Sequence, residues 1–557
     1  MLAVNRSIEL SARFWLVLAA TGVGAGLAGG LLMRLLHAAQ HLAWSYDAGT
    51  FLEAVGRVPP IQRVGVVLAA GALVAVGAAV LRFRKGGHAG EISVAIWFHA
   101  GATPVWRTLG RAVLSILIVA MGAPVGREGA LKQSGAVIGW KLADVLALTD
   151  PQKRLLTACG AGAGMAAAYN IPLGGALFAL EVLLGSMSLP FVVPALACAM
   201  LATSVSWLLL PMKPTYVTPT FTLSLEQVGW ALVAGPIIGA LAIVYVRLIA
   251  WADHHKPKTR LATVAAPLLT FAGLGLAALV LPQLLGNGLD LVQQSFLGQG
   301  GALPLILSLA VLRPLATALC LHSGAPGGLF TPTLATGALL GSGLAKLWDR
   351  AAPAWAANPG SCAVIGGAAM LAAATEGPVS AVVSVVELGQ HLDFLLVPLC
   401  AAVAGAMIVV RFAGGPSIYS ARVRAGARAP ERSDLPAFAR AAGVSHDFLH
   451  VSAAAHPAIA VQKLLVGQER DPPCPVFVLD EQARPIGRLS DEKVRRHDQT
   501  RQPIDLLTAY DLAEAVRPVG LAELETRPTA GRAESPVVDG STGAIVGVLE
   551  PKQREDR

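Results

Sequence analysis

This chain has little charge. Only 14% of its 557 residues are Asp, Glu, Lys or Arg, where a soluble domain carries about 25%. That scarcity argues against a water-soluble globular class. Cysteine is also sparse: Cys159, Cys198, Cys320, Cys362, Cys400 and Cys474 include no C-x-x-C pair, and five lie in apolar stretches. They read as small buried hydrophobes, which excludes a disulfide framework or a cysteine metal site. What is abundant is apolar sequence, at 54%, and glycine, at 59 residues. Glycine is more frequent in membrane helices than in soluble ones. The net charge of +8 comes from basic residues scattered through loops and tail, a pattern that fits a membrane surface better than nucleic acid.

Apolar stretches recur at about 14–33, 62–81, 111–125, 154–184, 189–211, 227–250, 262–285, 303–320, 333–347, 361–386 and 394–412. A straight span needs roughly 20 apolar residues. Several stretches are shorter, or are interrupted by Pro124, Pro172, Pro326, Pro332 and Pro378. Membranes tolerate broken helices only where the freed backbone lines a cavity or binds an ion. The first stretch is longer than a signal-peptide core and is kept as a membrane helix. The expectation is an all-α polytopic membrane domain over 1–421, a basic linker over 422–445 and a small α/β domain over 446–557. Arg422, Arg424, Arg428 and Arg432 in the linker put the C-terminus in the cytoplasm.

The membrane part repeats itself. The run Gly122 to Ala130 (GAPVGREGA) matches Gly324 to Pro332 (GAPGGLFTP), and the register continues with Gly135, Ala136 and Gly139 against Gly337, Ala338 and Gly341, all offset by 202 residues. A second pair follows at an offset of 206, with Pro172 and Glu181 against Pro378 and Glu387. The repeat halves fall at about 60–211 and 262–412. Duplicated halves place a binding site near the midplane, where the repeats meet.

Each repeated break precedes a helix. A helix N-terminus offers unpaired N–H groups and about half a positive charge, so several aimed at one point bind an anion. The candidate segments are Gly126–Ala130, Gly328–Pro332 and 86–91. Glu128 is ionisable inside an apolar region, which marks a functional candidate. Its carboxylate suits the anion's own position, as a gate opened by protonation or displacement. It also reads as an N-terminal Glu favoured by the helix dipole, or as a partner of Arg127. Glu181 and Glu387 read as partners for backbone groups or helix ends, and the Arg127 side chain reads as structural. Arg127 is the one evident fixed cation of the core. His322 beside Ser323 invites a nucleophile–base reading, but adjacent residues rarely reach each other in those roles.

Over roughly residues 12–425 these motifs resemble the CLC family of chloride channels and chloride/proton exchangers. The family has an inverted-repeat fold with broken helices, works as a homodimer with one pore per subunit, and sits here in the cell inner (plasma) membrane. The resemblance makes Glu128 the gate. It implies chloride binding around Gly126, Arg127, Gly129, Gly328, Leu329, Phe330 and Tyr419. The inner chloride-contacting serine falls at Gly87, next to His88, so that hydroxyl is missing. Ala130 replaces a family proline. The inner proton-transfer glutamate falls at Val182, which carries no proton and tilts the reading to a voltage-gated chloride channel. The alternative is a chloride/proton antiporter on the same scaffold. Chloride, and protons in the alternative, are the ions moved; no cofactor, metal, nucleic acid or enzyme activity is implied.

The tail holds two similar units, 476–489 and 536–549, each strand, turn, strand. Helical patterns at about 457–465 and 509–516 precede them. They resemble a degenerate pair of CBS domains, a common attachment to this family. Such pairs bind adenine nucleotides through an Asp three residues after a Ser or Thr. Here Ser490 is followed by Lys493, which favours a structural, dimer-stabilising role.

Overall fold

The computed structural model describes residues 10–421, apart from 47, 84–91, 99 and 390–391, together with Pro475 and eight short strands between 444 and 549. Six helices among the described residues are long and apolar enough to cross a membrane. The helices run in two parallel series. The first comprises α1 (Ala12–Trp44), α2 (Phe51–Arg57), α3 (Pro60–Phe83), α4 (Ile92–Phe98), α5 (Val105–Ala120), α6 (Glu128–Val145), α7 (Asp150–Tyr169), α8 (Pro172–Leu177, continued by a π-helical turn Phe178–Leu184) and α9 (Leu189–Ser206). The second comprises α10 (Leu225–His254), α11 (Arg260–Val280), α12 (Leu289–Phe296), α13 (Leu303–His322), α14 (Phe330–Ala351), α15 (Pro359–Thr375), α16 (Pro378–Leu388) and α17 (Leu396–Phe412). Leaving out α2, two long helices, a short one and five further elements follow in the same order twice.

The breaks have local causes. The apolar stretch 154–184 is two elements because Asn170 takes a left-handed conformation at the end of α7 and Pro172 starts α8. The stretch 361–386 divides the same way, with Glu376 left-handed before Pro378. Proline fits the first helical turn, where its missing N–H is no loss. Gly122 and Gly324, a pair at the 202-residue offset, both adopt positive φ (102° and 96°) after α5 and α13, a region open to glycine at little cost.

The repeated glycines of α6 and α14 bring helices together. A Cβ on Gly135 would lie 1.9 Å from the carbonyl oxygen of Gly160 in α7, and one on Gly139 would lie 2.3 Å from that of Leu156. In the second half, Gly337 and Gly341 meet the carbonyls of Gly366 and Cys362 in α15 at 2.5 and 2.2 Å. Lipid supplies no hydrophobic drive between helices, so close backbone approach through small residues carries the association.

Glu181 and Glu387 act across the repeat, as helix-end partners. Glu387, in α16, accepts from the Leu173 and Gly174 amides at the start of α8 (3.0 and 2.6 Å). Glu181, in the π-helical turn, accepts from the Val379 and Ser380 amides at the start of α16 (3.1 and 2.6 Å). Each half thus satisfies the other half's orphan donors. Of the cysteines, Cys159, Cys198, Cys320 and Cys362 are buried and unpaired as expected, but Cys400 is exposed on α17; Cys474 lies outside the described residues.

In the tail, β2 (Leu449–Ser452), β3 (Val476–Leu479), β4 (Pro485–Leu489) and β5 (Ala513–Glu514) form one sheet in that order. The other has the order β1 (Val444–Ser445), β8 (Ile545–Leu549), β7 (Pro536–Val538), β6 (Val519–Gly520). Both read parallel then antiparallel (β2–β3–β4, β6–β7–β8), with a register shift in the middle strand. The two hairpins expected from the sequence are therefore present. Of the helical pattern expected at 509–516, Ala513–Glu514 instead pairs with β4 as a strand, and the rest lies outside the described residues. The pattern at 457–465, the linker arginines, Ser490 and Lys493 lie outside the described residues.

Candidate functional site

The two repeated breaks meet each other. Gly126 and Gly328 form an isolated antiparallel bridge, each amide donating to the other's carbonyl (2.8 and 2.7 Å). The bridge brings the N-termini of α6 and α14 to one place. Side chains at these glycines would not fit: a Cβ on Gly328 would sit 2.3 Å from Glu128 Oε1 and 2.6 Å from the Gly129 amide, and one on Gly129 would sit 2.7 Å from the Gly328 amide.

Glu128 begins α6 and is fully buried, at 0% exposure. Its Oε1 accepts from the Phe330 amide at 2.5 Å. Its Oε2 accepts from Tyr169 Oη (3.1 Å) and Thr331 Oγ1 (3.3 Å). Three donors, two from α14 and one from the end of α7, thus surround an anionic group in a water-poor site. That is the chemistry of an anion cradle, and the carboxylate stands where a mobile anion would accept the same bonds. Thr331 and Tyr169 also share a 2.7 Å hydrogen bond. Neither was singled out in the sequence. Thr331 lies inside the repeated motif, but Tyr169 reaches the site only through the fold.

Two cavities are lined by the chain neighbours of Glu128. The larger, about 420 Å³, is lined by Arg127, His37, Tyr46 and Asp290 among others. The smaller, about 30 Å³, is lined by Gly129, Lys132, Gly328, Leu329, Ser93 and Tyr419 among others. Glu128 lines neither and lies in the chain between Arg127 on one side and Gly129 on the other. The Arg127 guanidinium sits 4.7 Å above the Tyr169 ring, which fixes that ring beside the carboxylate and supports its structural reading.

Tyr419 comes to the smaller cavity from a final helical turn at 418–421. Its ring meets Phe178 edge-on (5.9 Å), and its hydroxyl accepts from Lys132 Nζ at 3.1 Å. The sequence expectation of Arg127 as the one core cation is thus corrected. The core also holds Arg63, Arg154, Arg313 and Lys132, and of these Lys132, one turn after Glu128 on α6 and 7% exposed, lines the smaller cavity. The signal for Lys132 was a lysine at i+4 from the carboxylate, inside a helix whose neighbours are small and apolar. Gly126, Arg127, Gly129, Gly328, Leu329, Phe330 and Tyr419 are brought together here; Gly87 lies outside the described residues.

Val182 is buried, and its Cγ2 stands 2.6 Å from where a Cβ on Gly377 would lie. Ser323 donates its hydroxyl to the Cys320 carbonyl (2.7 Å), while the His322 ring stacks on Trp251, so this pair is not arranged as nucleophile and base.

The sequence profile described as "Voltage gated chloride channel" matches residues 70–411. The chain belongs to this family. The H(+)/Cl(-) exchange transporter ClcA of Vibrio parahaemolyticus is 31% identical over 308 residues, 54% of this chain and 65% of that protein. The chain thus spans just under two thirds of the length of that relative. A ClcB-like protein of Ralstonia nicotianae is 32% identical over 349 residues, covering 60% of this chain and 79% of its own. Among solved structures, a slow cyanobacterial Cl−/H+ antiporter superposes with a TM-score of 0.65 at 24% identity, over 75% of this chain and 99% of that one. A eukaryotic CLC transporter superposes over 97% of this chain and 98% of its own, with a TM-score of 0.61 at 19% identity. The fold is the CLC transporter fold, and the protein is a multi-pass membrane protein.

Proposed function

We propose that this protein moves chloride across the membrane through the path between its two repeats, in exchange for protons, with Glu128 as the gate. One observation carries the reading: a buried carboxylate occupies a cradle of donors built by both halves of the repeat. A protonatable group in the anion's own position links anion entry to proton uptake, because protonation removes the charge that holds it there. Gly126, Arg127, Gly129, Gly328, Leu329 and Phe330 line the anion path, and Tyr419 closes its inner end. Exchange replaces the channel expected from Val182, since the exchange transporters of several Vibrio species are about 31% identical.

A passive channel is the second reading, favoured by the buried valine where a proton-transfer acid is absent. Liposomes with opposed chloride and proton gradients decide between them. Uphill proton movement driven by chloride supports exchange; chloride flux without it leaves the channel. No chloride flux at all sinks both.

The same reading makes the protein an inner-membrane homodimer with a cytoplasmic C-terminus. The two-sheet tail is a degenerate CBS pair with a dimer-stabilising role.

A further inference from the structure

Lys132 has an unusual environment for a buried cation. The buried arginines Arg313, Arg63 and Arg154 donate to backbone carbonyls: Arg313 to those of Gln283 and Gly286 (2.6 and 2.8 Å), Arg63 to those of Ala278 and Gly56 (3.1 and 3.2 Å), and Arg154 to that of Ile96 (2.9 Å), although Arg63 Nε and one terminal nitrogen of Arg154 are left over. Among the described residues Lys132 has no such shell. Its described partners are the Tyr419 hydroxyl and the faces of Phe178 and Tyr419, each ring 4.9 Å away. The four ion pairs among the described residues all involve partly exposed side chains, and none includes Lys132. Taking an ammonium out of water is costly unless a counter-charge meets it. A neutral hydroxyl and two rings offset part of that cost.

The same small cavity has a second unsatisfied group. Ser93 is 1% exposed, its hydroxyl has no hydrogen-bond partner among the described residues, and it lines the cavity together with Lys132, Tyr419 and Leu329. Other buried serine hydroxyls also lack a partner, among them Ser115, Ser295, Ser342 and Ser384, but of these Ser93 is the one that lines this cavity. An anion in this cavity answers both needs, accepting from the hydroxyl and neutralising the ammonium.

We propose that Lys132 supplies the fixed counter-charge for the anion that binds beside Tyr419, and that Ser93 adds a hydroxyl donor to it. The inference rests on the anion-transport reading above and names what selects the ion. The cavity, about 30 Å³, has room for a guest of about one or two waters. An ammonium is a compact point charge that suits a spherical anion, whereas planar carboxylate or nitrate is better matched by the two-pronged guanidinium of arginine.

The test measures chloride binding to the purified full-length protein by calorimetry, alongside chloride efflux from liposomes. K132M keeps the apolar stem without the charge, and K132Q keeps a donor to Tyr419. Both should weaken chloride binding about tenfold or more, K132R by less than about threefold, and S93A by about threefold. Efflux in K132M and K132Q should saturate at correspondingly higher chloride. If either neutral variant is folded and binds chloride within about twofold of wild type, the proposal is overturned. Unchanged binding with lost proton coupling would likewise overturn it, making Lys132 a proton relay. Wild-type protein gives a test that needs no variant: chloride should bind tighter than nitrate or acetate, and the reverse order refutes the site. Wild-type liposomes that pass no chloride would sink the transport reading, whereas wild-type transport with unchanged binding in the variants would sink only this inference.

Discussion

Replacing Gly126 by alanine tests the gate through space alone. Gly126 is not in the positive-φ region, so alanine fits its backbone. The obstacle is the carboxylate: the added Cβ would lie 1.9 Å from Glu128 Oε1 and 2.2 Å from Oε2, where real Cβ contacts stay beyond 3.0 Å. The obstructing atoms are the free end of a side chain, so the carboxylate yields before the backbone does. A retreat of about 1 Å stretches the 2.5 Å bond from the Phe330 amide past the length of a useful hydrogen bond. A hydrogen bond to a charged group contributes about 1.5–3 kcal/mol, and each 1.4 kcal/mol is about tenfold in population. G126A should therefore raise the share of molecules with the carboxylate displaced by roughly ten- to a hundredfold. Efflux measured with a chloride electrode should rise near neutral pH and lose much of its acid activation. Efflux and pH dependence within about twofold of wild type would refute the geometry on which the gate rests.

E128Q should also open the path and flatten its pH response, because the neutral amide holds the Phe330, Tyr169 and Thr331 donors less tightly than the carboxylate; flux of unchanged size and pH profile would remove Glu128 from the gate. Y169F deletes one of those donors and should raise resting flux by less than E128Q does, about three- to tenfold, read in the same liposomes. E387A strands the Leu173 and Gly174 amides, and E181A strands those of Val379 and Ser380; each should cost about 1–3 kcal/mol and lower the melting temperature in detergent by similar amounts. G135A drives a Cβ into the Gly160 carbonyl at 1.9 Å, which is backbone and cannot turn aside. It should cost about 1–3 kcal/mol or more and destabilise the protein beyond G56A, where the added Cβ meets open space.

What the sequence alone determined is what local chemistry determines. Low charge and long apolar stretches define a membrane protein. Proline and glycine in repeated positions mark broken helices, and the 202-residue offset reveals the duplication. Glu128 was legible because a carboxylate at a helix break in apolar surroundings is conspicuous at any one position. The tertiary structure alone decided who meets whom. Glu128 receives its shortest bond from an amide 202 residues away, and Glu181 and Glu387 exchange helix ends between the halves. Lys132 was easily taken for an ordinary charged residue until α6 carried it into the cavity beside Tyr419, 287 residues on, and Ser93 became notable only once burial left its hydroxyl unpaired. Hydropathy and backbone breaks are properties of a short window of sequence. The satisfaction of a buried polar group depends on which distant segments fold against it, and no window contains that.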